Sequence, residues 1–339
     1  MRILPVFIPH SGCRHDCVFC DQRRVSLVAD PPEPEQIAAL IEQGRQHGKL
    51  DEVAFYGGSF TALPLPSQRA YLQAVQPFLA DGSVGAIRLS TRPDAVDESI
   101  VAMLLDSGVS TVELGCQSFS DPVLQAAGRG HSARDNIEAA QLLRANGFRL
   151  GLQLMPGLPL ADRGEALFSL NEALNLAPDF LRVYPTLVVA GTELAKRWQR
   201  SDYRPLDLDE AVELCADIET ACRQRQVPVI RYGLQANDAL DSDAVVAGPY
   251  HPAFGQLVRS QLWRRVLLRV LQQGGEMVQV HPADLSNALG HRRSNLQLLC
   301  GETGKFSISG SHEVARGNLF INNRSFRMES LVGNGAMAE

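Results

Sequence analysis

The sequence predicts an α/β fold, a partial (β/α)6 barrel of the TIM type followed by a small C-terminal α+β appendage. Three observations carry this reading. Short apolar runs of strand composition alternate with amphipathic stretches through the first 235 residues, the pattern of parallel strands joined by right-handed crossovers. Glycine, proline and polar residues gather at the C-terminal end of each strand, the face on which β/α barrels carry their sites. Past about residue 235 the alternation stops and the charge balance changes sign.

The first strand is expected at 3–8. Pro31-Pro32-Glu33-Pro34 then starts a helix to about Gly48, with Ile37, Leu40 and Ile41 as its apolar face, because proline at a helix start has no N–H to lose. Further strands are expected at 52–56, 86–90, 111–115, 150–154 and 180–184, and helices at 66–80, 95–107, 133–146 and 163–176. The strand-end loops are Gly57-Gly58-Ser59, Thr91-Arg92-Pro93-Asp94, Gly115-Cys116-Gln117, Met155-Pro156-Gly157-Leu158-Pro159 and Pro185-Thr186. A helix over 207–226 and a strand over 227–232 complete the barrel domain, residues 1–235. The appendage, residues 236–339, follows the polar connection Gln235–Asp243. It holds a long helix at 253–273, a short helix at 282–289 and strand-like runs at 278–280, 305–309 and 318–322.

A 339-residue chain with 45% hydrophobic content buries an ample core. No window approaches the roughly 20 apolar residues of a membrane span, so no membrane partner and a cytoplasmic location are expected. Seven cysteines, an odd number without a secretory signal, argue against a disulfide framework. Residues 1–250 hold 22 Lys and Arg against 32 Asp and Glu, whereas residues 251–330 hold 10 against 5. A basic segment suits a phosphate-bearing partner, although a solvated surface has the same composition.

The densest chemistry lies in Ser11-Gly12-Cys13-Arg14-His15-Asp16-Cys17-Val18-Phe19-Cys20, directly after the first strand. Three thiolates spaced four and then three positions apart can converge on one inorganic core. They are one ligand short of a closed zinc or iron-sulfur site, and none of Cys116, Cys215, Cys222 and Cys300 has a cysteine partner three or four positions away. The inference is an open coordination position; the competing one is a zinc knob completed by His10 or His15.

This loop resembles the cluster loop of the radical S-adenosylmethionine (SAM) superfamily. The resemblance implies a 4Fe-4S cluster held by Cys13, Cys17 and Cys20, with SAM on the open iron and a 5'-deoxyadenosyl radical as its product. It also implies an electron donor such as ferredoxin or flavodoxin. Within that family Gly57, Gly58 and Ser59 match the loop supporting the methionine part of SAM, and Phe19 matches the aromatic near the adenine. Gln117 and Arg129, twelve residues apart, are similar to SAM contacts in oxygen-independent coproporphyrinogen oxidase and its relatives. Gln153 stands where those relatives place an acidic residue against the ribose.

A broader resemblance is to the elongator catalytic subunit, which modifies the wobble uridine of tRNA. It rests on Gly57-Gly58-Ser59-Phe60-Thr61, Thr91-Arg92-Pro93-Asp94, Glu113-Leu114-Gly115, Arg129-Gly130-His131, Met155-Pro156-Gly157-Leu158-Pro159 and Tyr184-Pro185-Thr186-Leu187-Val188, and spans residues 1 to about 235. The cysteine loop here is more compact, and no Arg-x-x-Gly-x-Gly phosphate cradle of an acetyltransferase follows. What carries over is a radical SAM enzyme with tRNA as its possible substrate. The alternatives are a small molecule such as a tetrapyrrole, or a zinc-stapled RNA-binding module. Arg259, Arg264, Arg265 and Arg269 on the long helix, with His251–Gly255 and Gly290–Asn295, are the candidate RNA contacts.

Overall fold

The alternation of strand and helix is realised in a computed structural model, which describes residues 2–13, 16–21, 28, 30–46, 48–234, 244–272, 274–303, 305–322 and 324–328. The chain divides into two compact units, residues 1–206 with 234–250, and residues 207–233 with 251–339. In this division the helix and strand between 207 and 233 group with the C-terminal residues, while the strand itself, Val229–Tyr232, is a member of the seven-stranded sheet that begins with the first strand.

The first unit begins with β1 (Ile3–Phe7), α1 (Pro34–Arg45), β2 (Leu50–Tyr56), α2 (Leu65–Ala80), β3 (Val84–Thr91), α3 (Glu98–Asp106) and β4 (Val109–Gln117). It continues through α4 (Asp121–Ala126), α5 (Ala133–Ala145), β5 (Arg149–Leu154), α6 (Arg163–Asn175), β6 (Phe180–Val183), β7 (Val188–Val189) and α7 (Glu193–Gln199). Strands β1 to β6 pair in consecutive order, each parallel to the next. Such a single direction of winding curls a sheet toward a barrel, so the expected partial (β/α)6 barrel is the observed architecture. Local chemistry fixes the helix starts. Asp97, Ser132 and Asp162 accept from the N–H groups of Ile100, Asp135 and Glu165, satisfying donors that a helix start leaves unpaired.

Strand alternation separates two faces. Val53, Phe55, Ile87, Leu89, Val112, Leu114, Leu150 and Leu152 are buried on one. There the Phe55 ring lies 5.0 Å from Phe60 and 5.6 Å from Tyr71 of α2. The other face is polar. Glu52, Arg88, Thr111 and Glu113 lie there buried, on the same face of the neighbouring strands β2, β3 and β4, with Arg88 directly opposite Thr111. Gly151 permits this packing, because a Cβ there would stand 2.4 Å from the Phe180 ring.

The second unit contains α8 (Leu208–Gln224), β8 (Val229–Tyr232), α9 (Phe254–Gln272), β10 (Met277–Val280), α10 (Pro282–Leu289), α11 (Ser294–Thr303), β11 (Ser307–Gly310), β12 (Asn318–Ile321) and β13 (Arg324–Arg327). The strand between β8 and α9, β9 (Val245–Ala247), belongs instead to the first unit, where it pairs antiparallel with β7. The last four strands form a sheet in the order β11-β10-β12-β13. Leu262, Trp263, Val266, Leu267 and Val270 of α9 build its core with Val278, Val280, Leu299, Phe306 and Leu319. Helix α8 belongs here because Ala216 joins that core, and because Arg265 pairs with Asp217 at 2.8 Å and also with Glu213. The Arg-rich helix is therefore a core element, and its Arg265 is already neutralised.

The polar connection expected at Gln235–Asp243 lies wholly outside the described residues. No helix among the described residues is long and apolar enough to cross a membrane.

Candidate active site

The sequence-predicted site residues meet at the C-terminal ends of β1 to β5. The cysteine loop is tied to the glycine loop after β2 through the backbone: Ser59 N–H donates to Ser11 C=O at 2.8 Å and His10 N–H to Gly57 C=O at 3.1 Å. Gly12 has φ 75°, and a Cβ on it would stand 2.2 Å from the Ser59 carbonyl oxygen; one on Gly58 would stand 2.5 Å from those of Ile8 and Ser11. Both glycines are needed for two loops to pack backbone against backbone. The far half of the loop is anchored elsewhere, through Val18 N–H to Ala127 C=O at 3.1 Å and Leu194 N–H to Val18 C=O at 2.7 Å. Phe19 packs against two apolar clusters, one with Val188 and Leu194 and one with Val123, Ala127 and Leu158.

Arg129 connects the cysteine loop to the end of β4. It is 7% exposed, so it is no solvated surface charge. One guanidinium nitrogen donates to Cys17 Sγ at 3.3 Å and another to the Gly115 carbonyl at 2.7 Å, while its buried Nε has no partner among the described residues. Arg92 supports it from β3, donating to the Arg129 carbonyl at 2.6 Å and bridging both Asp94 oxygens at 2.9 and 3.0 Å.

Gln117 reaches the same place through a local distortion. The β4–β5 register shifts between Leu114 and Gln117, and Gln117 adopts φ 70°, a left-handed conformation that costs a side-chain-bearing residue about 1–2 kcal/mol. The distortion lays its amide over Gly115, whose missing Cβ would stand 2.9 Å from Gln117 Nε2 and 3.4 Å from an Arg129 nitrogen. Gln117 Oε1 is buried with no partner among the described residues. An unpaired acceptor on strained backbone is costly unless a ligand uses it.

The three thiols differ in exposure. Cys13 is exposed, and Cys17 and Cys20 are half-buried. Cys13 still lies deep enough among its neighbours that burial, and then Cys17, push its thiol up, while Arg129, Arg92 and the Ser59 backbone pull it down. Burial wins at Cys13, and the Arg129 and Arg92 guanidinium groups offset only part of what it costs to form the thiolate that binds metal. Among the described residues no three His, Cys, Asp or Glu side chains are gathered as a metal-holding group. His15, one proposed zinc partner, lies outside the described residues, and His10 stands 4.0 Å from Asp21. The donor set, the flanking cations and the two unpaired groups aimed at one mouth fit an iron-sulfur cluster with a polar ligand beside it. Cys116, at the same strand end, is fully buried, and burial pushes its thiol up to about 12. It is a packing residue.

A second set of residues was not assigned a role from sequence. Glu113 accepts from Arg88 at 3.0 Å and Tyr56 at 3.2 Å on one oxygen and from Gln153 Nε2 at 3.1 Å on the other, which also forms an ion pair with Arg182 Nε at 2.8 Å without hydrogen-bond geometry. Arg88 also pairs with Glu52 at 2.6 Å. Burial, and then Glu113, push the Tyr56 hydroxyl well above its ordinary value, so it stays a donor. Gln153 gives its NH2 to Glu113, so its carbonyl is the acceptor it has left to offer a ligand. The signal in the sequence was a lone charge inside each of several apolar strands. His131 is also buried; its Nε2 lies 3.2 Å from the Cys116 carbonyl and its Nδ1 is unpartnered among the described residues.

Two family models match this chain, the radical SAM superfamily over residues 7–170 and a radical SAM C-terminal domain over 178–264. A protein named tRNA uridine(34) acetyltransferase from Methanocaldococcus jannaschii is 34% identical over 280 residues, covering 67% of this chain and 52% of its own length. Mouse Elongator complex protein 3 is 29% identical over 201 residues, covering 52% of this chain and 37% of its own length. The chain thus spans about half the length of the relatives it matches. Among solved structures, archaeal Methanocaldococcus infernus Elp3 with an N-terminal deletion has a TM-score of 0.61 at 24% identity, covering 80% of this chain and 63% of that one. Coproporphyrinogen III oxidase from Escherichia coli has a TM-score of 0.51 at 18% identity, covering 66% and 52%. Cysteine loop, strand-end residues, fold and family matches agree, and the chain belongs to the radical SAM superfamily, enzymes that use a 4Fe-4S cluster and S-adenosylmethionine.

Proposed function

We propose that this chain performs a radical SAM reaction on RNA, with tRNA as the substrate class. The observation that carries the radical half is the convergence of Cys13, Cys17, Arg129 and Gln117 on one barrel mouth. The RNA half is supported by the 34% identity, over two thirds of this chain, to a protein named for tRNA uridine modification.

In this reading Cys13, Cys17 and Cys20 hold the cluster. When bound, cluster and SAM together supply a 5'-deoxyadenosyl radical, the electron coming from a donor such as ferredoxin or flavodoxin. The residues of the chain bind and orient. Arg129 neutralises the thiolate side and offers its unpaired Nε; Gln117 offers an acceptor; Gln153, held by Glu113, offers a second; Gly57, Gly58 and Ser59 supply backbone; Phe19 supplies an apolar wall. A cytoplasmic, reducing compartment belongs to the same proposal, since it keeps the thiols free.

Anaerobic reconstitution is expected to load about four irons and four sulfides per chain. Reduction with dithionite should then release 5'-deoxyadenosine from SAM. Mass spectrometry of tRNA nucleosides from cells with and without the chain should show one nucleoside changed. A single bound zinc with no SAM cleavage would refute the radical half, and an unchanged tRNA profile beside intact SAM cleavage would refute the RNA half.

A further inference from the structure

The four-stranded sheet of the second unit has one covered face and one open face. Val278, Val280, Leu319 and Ile321 point into the core, with Ile308 and Phe326 packed against it. Alternation puts the intervening residues on the opposite face. These are Met277 and Gln279 of β10, Asn318 and Phe320 of β12, and Ser325 and Arg327 of β13, while β11 contributes two serines. Register sets Gln279 and Ser325 on either side of Phe320, and Asn318 beside Arg327.

The composition of this face is specific. Met277 is 73% exposed, and Phe320 is half-buried yet takes no part in the core cluster. Around these two flat or pliable apolar groups stand amides, hydroxyls and one guanidinium, and no outward position carries a carboxylate. The sheet starts at residue 277, beyond residue 264 where the second family model ends. The stretch of sequence that carries it is basic, with 10 Lys and Arg against 5 Asp and Glu in residues 251–330.

We propose that this open face binds a single-stranded segment of RNA, with a base stacked on Phe320 and its polar edge met by Gln279 and Asn318. The proposal rests on the RNA reading above and extends it to the surface that grips the substrate. The occupant follows from the chemistry. Bases that are unpaired expose a π-face for stacking and edges for amide hydrogen bonds, whereas a duplex offers a flat sheet neither. Absence of carboxylates matches a polyanion. A hydrophobic protein interface would need more than two apolar side chains among eight outward positions.

The test uses the intact chain with a short single-stranded RNA carrying 2-aminopurine, the matching duplex, and whole tRNA. Wild type is expected to prefer the single strand and to quench the probe. Phe320→Ala should weaken single-strand binding about five- to a hundred-fold and abolish the quench, while Phe320→Trp retains both. Phe320→Ala should melt as wild type does; if it does not, Gln279→Ala with Asn318→Ala carries the test and should weaken binding in the same way. Equal affinity in wild type and both variants would overturn the face while leaving the RNA reading intact. Absence of binding to every RNA would overturn both. Self-association abolished by Phe320→Ala, with RNA affinity unchanged, would make the face a protein interface and also overturn the proposal.

Discussion

Arg129 is the residue on which the site depends, because one side chain touches the Cys17 thiol, the end of β4 and the open mouth. Arg129→Ala is expected to weaken SAM binding by about ten- to a hundred-fold, since a hydrogen bond to a charged group contributes about 1.5–3 kcal/mol; titration calorimetry on reconstituted protein measures this. Cys13→Ala, Cys17→Ala or Cys20→Ala should each abolish cluster loading, read as iron content, whereas Cys116→Ala should load normally and lose only packing. His131 gives a pH dependence. Burial, then Arg129 and Arg92, lower it from 6.5 to about 4, so folding favours the neutral ring. Its contribution is complete above about pH 6.5 and is lost as pH falls toward 4. The span is worth up to about 3 kcal/mol. Urea midpoints of cluster-free protein should fall across that window, and those of His131→Asn should not. The thiol spacing was legible in the sequence because it is local. The Arg129–Cys17 contact joins residues 112 apart, and no local pattern encodes it.

Two structural devices at the element scale build the mouth, a backbone-on-backbone loop pair and a charged barrel interior. Gly12→Ala forces a Cβ against the Ser59 carbonyl at φ 75° and should cost about 2–4 kcal/mol together with cluster loading. Gly147→Ala has a similar φ of 80° but nothing within 4 Å, so only the smaller conformational cost of about 1 kcal/mol should appear in its melting. Comparing iron content in the two variants separates loop collision from backbone strain. Inside the barrel, Arg88→Met removes the cation shared by Glu52 and Glu113 and should cost about 3–5 kcal/mol, read from denaturant unfolding. The strands and helices of the first unit were legible because hydrophobic period and strand-end glycines agree there. Short helices such as α4, α7 and α11 were missed, since six to ten residues give too few turns for a period to emerge. The charge network was missed for another reason. Each lone Glu or Arg is visible inside its strand, but only the register across β2, β3 and β4 shows that they meet.

At the scale of the whole molecule the charge is divided, acidic over residues 1–250 and basic over 251–330. The sequence read four arginines of one helix as equivalent phosphate contacts. Structure separates them, because Arg265 is held by Asp217 and Glu213 of α8 while Arg259 is exposed and Arg264 partly so. If the basic region holds RNA phosphates, log affinity should fall with log salt by about 0.7–0.9 per phosphate contacted. Changing Arg259 and Arg264 to Gln removes two such cations and should flatten that slope by about 1.4–1.8. Arg265→Gln should leave the slope where it was and lower the melting temperature instead, because it leaves two carboxylates without their partner. Filter binding of tRNA across a salt series, with melting curves of the same three proteins, separates the two roles. A slope that Arg265→Gln flattens, and that the other pair does not, would mean the ion pairs with α8 open when RNA binds.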